Sequence, residues 1–230
     1  MISIQRSQSL QEQVYQALKQ IILKGDLPSG ERVVETKLAQ QLQVSRTPIR
    51  EAISQLKREK LIVSRANGGF KVATLSIQDA IQLYDCRIAL EQLSIRNACE
   101  QITSKQLKRL EKYVVQAEKL LESKPGKSDY LKLLEVDYQF HHSIAESSGN
   151  QWLLTLLEQV FDRMRLLRVY TTQHNPGVLE IRLEHREIYE AIASGDVDLA
   201  QTTIREHLIA SKARVVRELE VINNSNILDK

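Results

Sequence analysis

Residues Val44-Ser-Arg-Thr-Pro-Ile-Arg-Glu-Ala-Ile53 constrain this chain more than any other stretch, because they sort one helix into a buried and an exposed face. Ile49, Ala52, Ile53 and Leu56 recur at i, i+3, i+4 and i+7, the spacing of an apolar stripe. Arg46, Thr47 and Arg50 fall off that stripe, within about the first turn. Ser45 or Thr47 suits the N-cap, and Pro48 is tolerated in a first turn that has no intrahelical N–H bond to lose. A helix that opens on cations and small polar groups is suited to meet base edges and phosphates.

The flanking sequence supplies the rest of such a unit. Leu10, Val14, Ala17, Leu18 and Ile21 make a first amphipathic helix ending near Gly25, and Glu35 to Leu42 make a short second one. Gln43-Val44-Ser45 is a turn of helix-turn-helix length. Beyond the third helix, Leu61-Ile-Val63 and Phe70-Lys-Val-Ala73 read as strands around Asn67-Gly68-Gly69, a strong hairpin signal. Three helices followed by a hairpin make a winged helix-turn-helix over residues 1–75, with Arg65 and Lys71 as the cations of the wing.

Charge divides the chain in the same place. Residues 1–74 hold 12 Lys+Arg against 6 Asp+Glu, net +6, whereas residues 75–230 hold 20 against 23, net −3. A basic head on a mildly acidic body is expected where only the head meets a polyanion. No apolar run reaches the length of a membrane span, and Met1-Ile-Ser-Ile-Gln-Arg6 lacks a signal-peptide pattern. Cys86 and Cys99 lie at different heights and on different faces of one predicted helix, so they cannot pair with each other. The reading is a cytoplasmic protein with reduced, structural thiols and no membrane partner.

Residues 76–230 read as helices only. Breaks at Ile102-Thr-Ser104, Ser123-Lys-Pro-Gly-Lys-Ser128, Ser148-Gly-Asn150, Asn175-Pro-Gly177 and Ser194-Gly-Asp196 leave six amphipathic segments, roughly 78–101, 105–122, 129–147, 151–171, 178–193 and 197–222. Short connections imply an antiparallel six-helix bundle, so the fold class is mainly α. The polar tail from Asn223 to Lys230 is expected to fray.

Inside that bundle lies a second constellation. Asp137 and His141 are four apart and share a helix face, a pair that by itself is more often a surface or capping contact. His185 and His207 flank the Ser194-Gly195-Asp196 turn symmetrically. In a helical hairpin each stands roughly 15 Å from the turn at ~1.5 Å per residue, so they come level. Two level histidines facing a carboxylate–histidine pair form an N3O set for a borderline divalent ion, zinc first, with nickel, cobalt and manganese also suited. His142 points about 100° away from His141 round the helix and His174 falls in a loop, so both read as bystanders. Tyr84, Tyr138 and Trp152 sit at helical spacing and read as core.

Together these residues resemble a GntR-family transcriptional regulator of the FadR subfamily, in its VanR-like branch with an FCD-type effector domain. The resemblance is carried by Glu35-x-x-Leu-Ala39, Val44 to Ile53 and Gly69-x-x-Val72 in the head. In the body it is carried by Arg87-x-x-x-Glu91, Asp137-x-x-x-His141, Ser148-Gly-Asn150, Glu184-His185, Gly195-Asp196 and His207. It implies a homodimer on a palindromic double-stranded operator, commanded by a small organic acid. It assigns operator contacts to Arg46, Thr47 and Arg50, with Ser45 beside them, lets Gly68 and Gly69 bring the wing to the groove with Arg65 or Lys71 as its phosphate contact, and assigns a metal to Asp137, His141, His185 and His207. Arg46 and Arg50 either read bases or hold phosphates, or pair with Glu35 or Glu51. Gly68 stands where the family often has Arg, which removes one expected wing contact. Arg87 is the candidate partner of an effector carboxylate, with an ion pair to Glu91 as the alternative. The same four ligands would also suit a metal-dependent hydrolase or decarboxylase fused to a DNA-binding head, although no general base stands out beside them and Glu184 should face elsewhere.

Overall fold

A computed structural model describes residues 9–122, 127–179 and 182–228. The chain divides into two compact units, residues 1–74 and 75–230. The first eight residues, most of the predicted break at Ser123–Ser128, residues 180–181 and the last two lie outside the described residues.

The first unit contains α1 (Leu10–Leu23), β1 (Arg32–Val33), α2 (Glu35–Gln41), α3 (Arg46–Arg58), β2 (Ile62–Ser64) and β3 (Phe70–Val72). Ser9 caps α1 by accepting from the Glu12 amide at 3.2 Å. The expected stripe of α3 is buried, with Ile49, Ala52, Ile53 and Leu56 at 1% exposure or less. Leu18 and Ile22 of α1, which packs on α3, are equally enclosed. At ~1.5–3 kcal/mol for each large apolar side chain removed from water, that stripe is what seats the helix. Ser45 occupies the N-cap position of α3 without a side-chain capping bond, and Thr47 lies inside the first turn. The capping expected of either side chain is therefore corrected.

The sheet adds a strand that the sequence did not announce. β3 pairs antiparallel with β2 and, on its other edge, with β1, in the order β1-β3-β2. Two residues are too few to show an alternating pattern, and β1 exists because β3 offers it a free edge. The wing turn matches expectation. Gly68 and Gly69 hold φ of +80° and +77°, and Arg65 N–H donates to the Gly69 carbonyl at 3.0 Å. A side chain at either glycine would be strained in this left-handed backbone.

The second unit contains α4 (Ile77–Gln101), α5 (Ser104–Glu122), α6 (Lys127–Ser147), α7 (Gln151–His174), a 3₁₀ turn (Pro176–Leu179), α8 (Arg182–Ser194) and α9 (Val197–Leu228). A capping box between Ser76 and Asp79 starts α4, which then packs along α9. Ile95, Phe140, Ile144, Ile188, Ile192, Ile204 and Leu208 form one apolar cluster, and Tyr84, Met164, Leu167, Val215 and Leu219 belong to another.

Several expectations are corrected here. The predicted fifth segment began at residue 178, yet Val178 and Leu179 are buried in the 3₁₀ turn after Pro176, and α8 starts only at Arg182. Helix α9 extends to Leu228, beyond the predicted end at residue 222. Trp152 is 83% exposed instead of core, because at the start of α7 it points about 100° and 140° away round the helix from buried Leu153 and Leu157. Cys86 is exposed and Cys99 half-buried, both free, so Cys86 is not a packing thiol.

Candidate metal centre and nucleic-acid interface

Three helices bring four donors to one point. Asp137 and His141 lie one turn apart on α6, His185 is on α8 and His207 on α9. The α8–α9 hairpin that levels the two histidines turns on Gly195, φ +72°, and on Asp196, whose side chain accepts from the Leu199 amide at 3.0 Å. One ligand atom from each of the four residues lies within 4.8 Å of the others. His207 Nε2 is 3.2 Å from His141 Nε2, and Asp137 Oδ1 is 3.5 Å from His185 Nε2 and 4.0 Å from His141 Nε2. All four residues are at most 3% exposed. An ion ~2.1 Å from each ligand sets neighbouring donors roughly 3–4 Å apart, which is the spacing of these three pairs.

The surrounding shell fixes the tautomers of His141 and His207. His141 Nδ1 is 2.5 Å from Glu91 Oε2, and His207 Nδ1 is 2.7 Å from Glu184 Oε2. A carboxylate only accepts, so each Nδ1 carries a proton. Held this way, His141 and His207 turn their Nε2 atoms toward one another, and in the neutral form both present lone pairs there, a repulsive contact until a cation stands between them. Asp137 Oδ1 and both ring nitrogens of His185 are buried with no hydrogen-bond partner among the described residues, so His185 is free to present its Nε2 lone pair. Orphaned acceptors aimed at one small volume fit a divalent ion, and the carboxylate–histidine pairs are the usual support of such a site.

Electrostatics keeps Asp137, His185 and His207 in ligating form. Burial pushes the His207 pKa down to about 4, and burial followed by the charge of His207 pushes His185 well below the ordinary histidine value. Burial opposes ionisation of Asp137, but Arg168 and the neighbouring imidazoles outweigh it and hold the carboxyl far below the usual range. Glu91 falls to about 2 in spite of burial because of Arg87 and His141. Glu184 falls to about 2 in spite of burial through hydrogen bonds from His207 and Arg214.

Sequence reasoning missed three members of this shell. Glu184 was expected to face elsewhere; it does leave the His185 face, but reaches His207 from the outer side and binds Arg214 at 2.8 and 2.9 Å. Arg168 of α7, 3% exposed, donates to Asp137 Oδ2 through Nη1. Glu91 was read only as a partner of Arg87, yet it joins Arg87 Nε, at 2.5 Å, to His141. Arg87 itself is buried and lines a small cavity with Asp137, Tyr138, His141, Phe161 and Arg168. The bystander reading of His142 and His174 fits their contacts: His142 pairs with Glu158 at 3.2 Å, and His174 donates to the Tyr170 carbonyl at 3.0 Å. His174 ends α7 rather than sitting in a loop.

In the head, the residues singled out on α3 face solvent. Arg46 and Arg50 are 54% and 62% exposed, and both donate to Glu35 Oε2, at 3.1 and 2.8 Å. Ser45 and Thr47 are exposed beside them, as are Gly68 and Gly69 on the wing, while Arg65 is half-buried. The Glu35 pairing and the exposure coexist, since Arg50 uses only Nε and Arg46 only Nη2.

Comparison with known proteins decides the family. Residues 10–72 match the family described as bacterial regulatory proteins, gntR family, and residues 82–210 match the FCD domain. The chain belongs to the GntR family. It is 32% identical over 197 residues to the HTH-type transcriptional regulator YdhC of Bacillus subtilis (strain 168), covering 85% of this chain and 86% of that protein. Its fold is similar to that of McbR/YncC of E. coli, with a TM-score of 0.79 at 24% identity, over 92% of this chain and 99% of that one. A metal-free FCD domain of a transcriptional regulator superposes with a TM-score of 0.53 at 23% identity, over 65% of this chain and 99% of that one. The protein is thus a transcriptional regulator with a GntR DNA-binding domain and an FCD effector domain. Family members bind DNA operators and commonly act as dimers. They are not enzymes, which decides against the hydrolase and decarboxylase reading. Among the described residues no helix is long and apolar enough to cross a membrane.

Proposed function

We propose that this protein is a metal-dependent, ligand-responsive regulator of the FadR type, a homodimer that reads a palindromic operator. Arg46, Thr47 and Arg50, with Ser45, would meet bases and phosphates from the first turn of α3, and Arg65, Gly68 and Gly69 would bring the wing against the backbone. A bidentate arginine–guanine contact contributes roughly 1–3 kcal/mol of discrimination. Asp137, His141, His185 and His207 would hold one divalent transition metal. Zinc suits the N3O set best, and nickel, cobalt and manganese are compatible. The observation that carries this reading is the convergence of orphaned Asp137 Oδ1 and His185 Nε2 on the facing Nε2 atoms of His141 and His207.

Four protein ligands leave further positions on an octahedral ion, which a small carboxylate can fill. Arg87 stands beside them as its counter-charge while Glu91 holds it in place. Ligand binding inside the helical unit would bias the dimer toward or away from its operator-binding arrangement, and only differential affinity for the two arrangements can do so. The test is fluorescence anisotropy of the zinc-loaded chain on its operator, with and without a panel of small organic acids. At least one acid should change operator affinity about 5–150-fold, the usual range of coupling. Acids that bind the protein yet leave operator affinity unchanged would refute the coupling.

A further inference from the structure

A second cavity lies where α6 begins and α7 ends. It measures about 290 Å³ and is lined by Tyr130 and Leu131 of α6, by Val169, Thr172 and Gln173 of α7, and by Pro176, which opens the 3₁₀ turn. It shares no lining residue with the small cavity beside Asp137 and His141. Tyr130 precedes Asp137 by seven residues, about 10 Å along α6. Val169 is 5% exposed and belongs to the apolar cluster of Leu133, Val178 and Leu179, against which Tyr130 packs. Leu131 keeps 41% of its surface open.

One polar group in this wall lacks a partner. Thr172 is 4% exposed, and its Oγ1 is enclosed with no hydrogen-bond partner among the described residues. A helical threonine can return its hydroxyl to the carbonyl four residues back, as Thr171 does to Leu167 at 3.2 Å. Thr172 does not, and an enclosed hydroxyl left unpaired is costly. The two branches of a threonine are close in size, and in helices the residue occupies two χ1 rotamers. A single rotation therefore offers this hydroxyl to the cavity that Thr172 lines.

We infer that this cavity binds a compact, uncharged ring compound carrying one hydroxyl group, at a place separate from the metal-binding cluster. The described lining holds no charged side chain, so an ion would leave water without a counter-charge. An apolar cavity of about 150 Å³ takes a benzene ring, so the volume here suits one substituted ring. The ring covers Leu131 and meets the aromatic face or edge of Tyr130, while its hydroxyl pairs with Thr172. Gln173 adds an amide to the same wall. The inference needs neither the metal nor a carboxylate, so it stands apart from the effector reading above.

The probe is phenol, uncharged near neutral pH, titrated calorimetrically into the full chain. Wild-type protein should bind it with a Kd of about a millimolar or tighter. Thr172→Val keeps the branched shape and removes the hydroxyl, and it should weaken phenol about 3–10-fold, the worth of one hydrogen bond. No binding by the wild type, or equal affinity in T172V, overturns the assignment and leaves the response to acids untouched. If T172V does not fold, wild-type crystals soaked in para-bromophenol decide. An anomalous bromine peak among Val169, Thr172 and Pro176 supports the site, and its absence there refutes it.

Discussion

The two units present their chemistry in opposite ways. In the head, Arg46 and Arg50 stand on one helical turn, more than half exposed, and need only a rigid helix beneath them. In the body, Asp137, His141, His185 and His207 come from three helices and are closed to solvent, with Arg87 and Glu91 of α4 and Arg168 of α7 packed round them. A surface that reads a polyanion can be specified locally, because water solvates whatever the ligand does not touch. A buried cluster has no such freedom: every donor needs a partner, and the partners must arrive from distant sequence. The head should therefore lose function residue by residue without loss of fold, whereas the body should respond as a connected network.

Separating the two behaviours calls for mutations read out on both sides. The largest effect is expected in the head. Arg50→Ala should cost about 1–3 kcal/mol of operator binding, a weakening of ~5–150-fold measured by anisotropy at fixed salt. Zinc content should not change, and a loss of zinc in this variant would break the separation. In the body, Glu91→Gln removes the charge that orients His141 and neutralises Arg87. Zinc affinity, followed by competition with a chelating dye, should fall about 10–100-fold, or ~1.4–2.7 kcal/mol. Operator binding without effector should stay within a few fold. An undiminished zinc affinity would show that His141 does not need its carboxylate and that the network is looser than described.

What the sequence revealed follows the same division. The buried stripe of α3 and the exposed Arg46, Thr47 and Arg50 were legible because one helical period encodes both faces. The meeting of His185 with His207 was legible because a hairpin about Asp196 needs only counting. Contacts between helices distant in sequence were not. Glu91 meets His141 across 50 residues and Arg168 meets Asp137 across 31, and the rotation of each helix about its axis is set by packing that no local pattern records. Glu184 illustrates the limit: its roughly 100° offset from His185 was read correctly as a different face, but that face is the one His207 turns its Nδ1 toward. Strand β1 escaped for a related reason, since two residues carry no periodicity and its partner lies 37 or more residues downstream.

The measurement that bears most directly on the account is anomalous scattering at the zinc edge from crystals grown with one equivalent of the metal. The account predicts one peak, ~2.1 Å from Nε2 of His141, His185 and His207 and from Asp137 Oδ1. A cluster that stays empty under those conditions, or a peak on other residues, would contradict it.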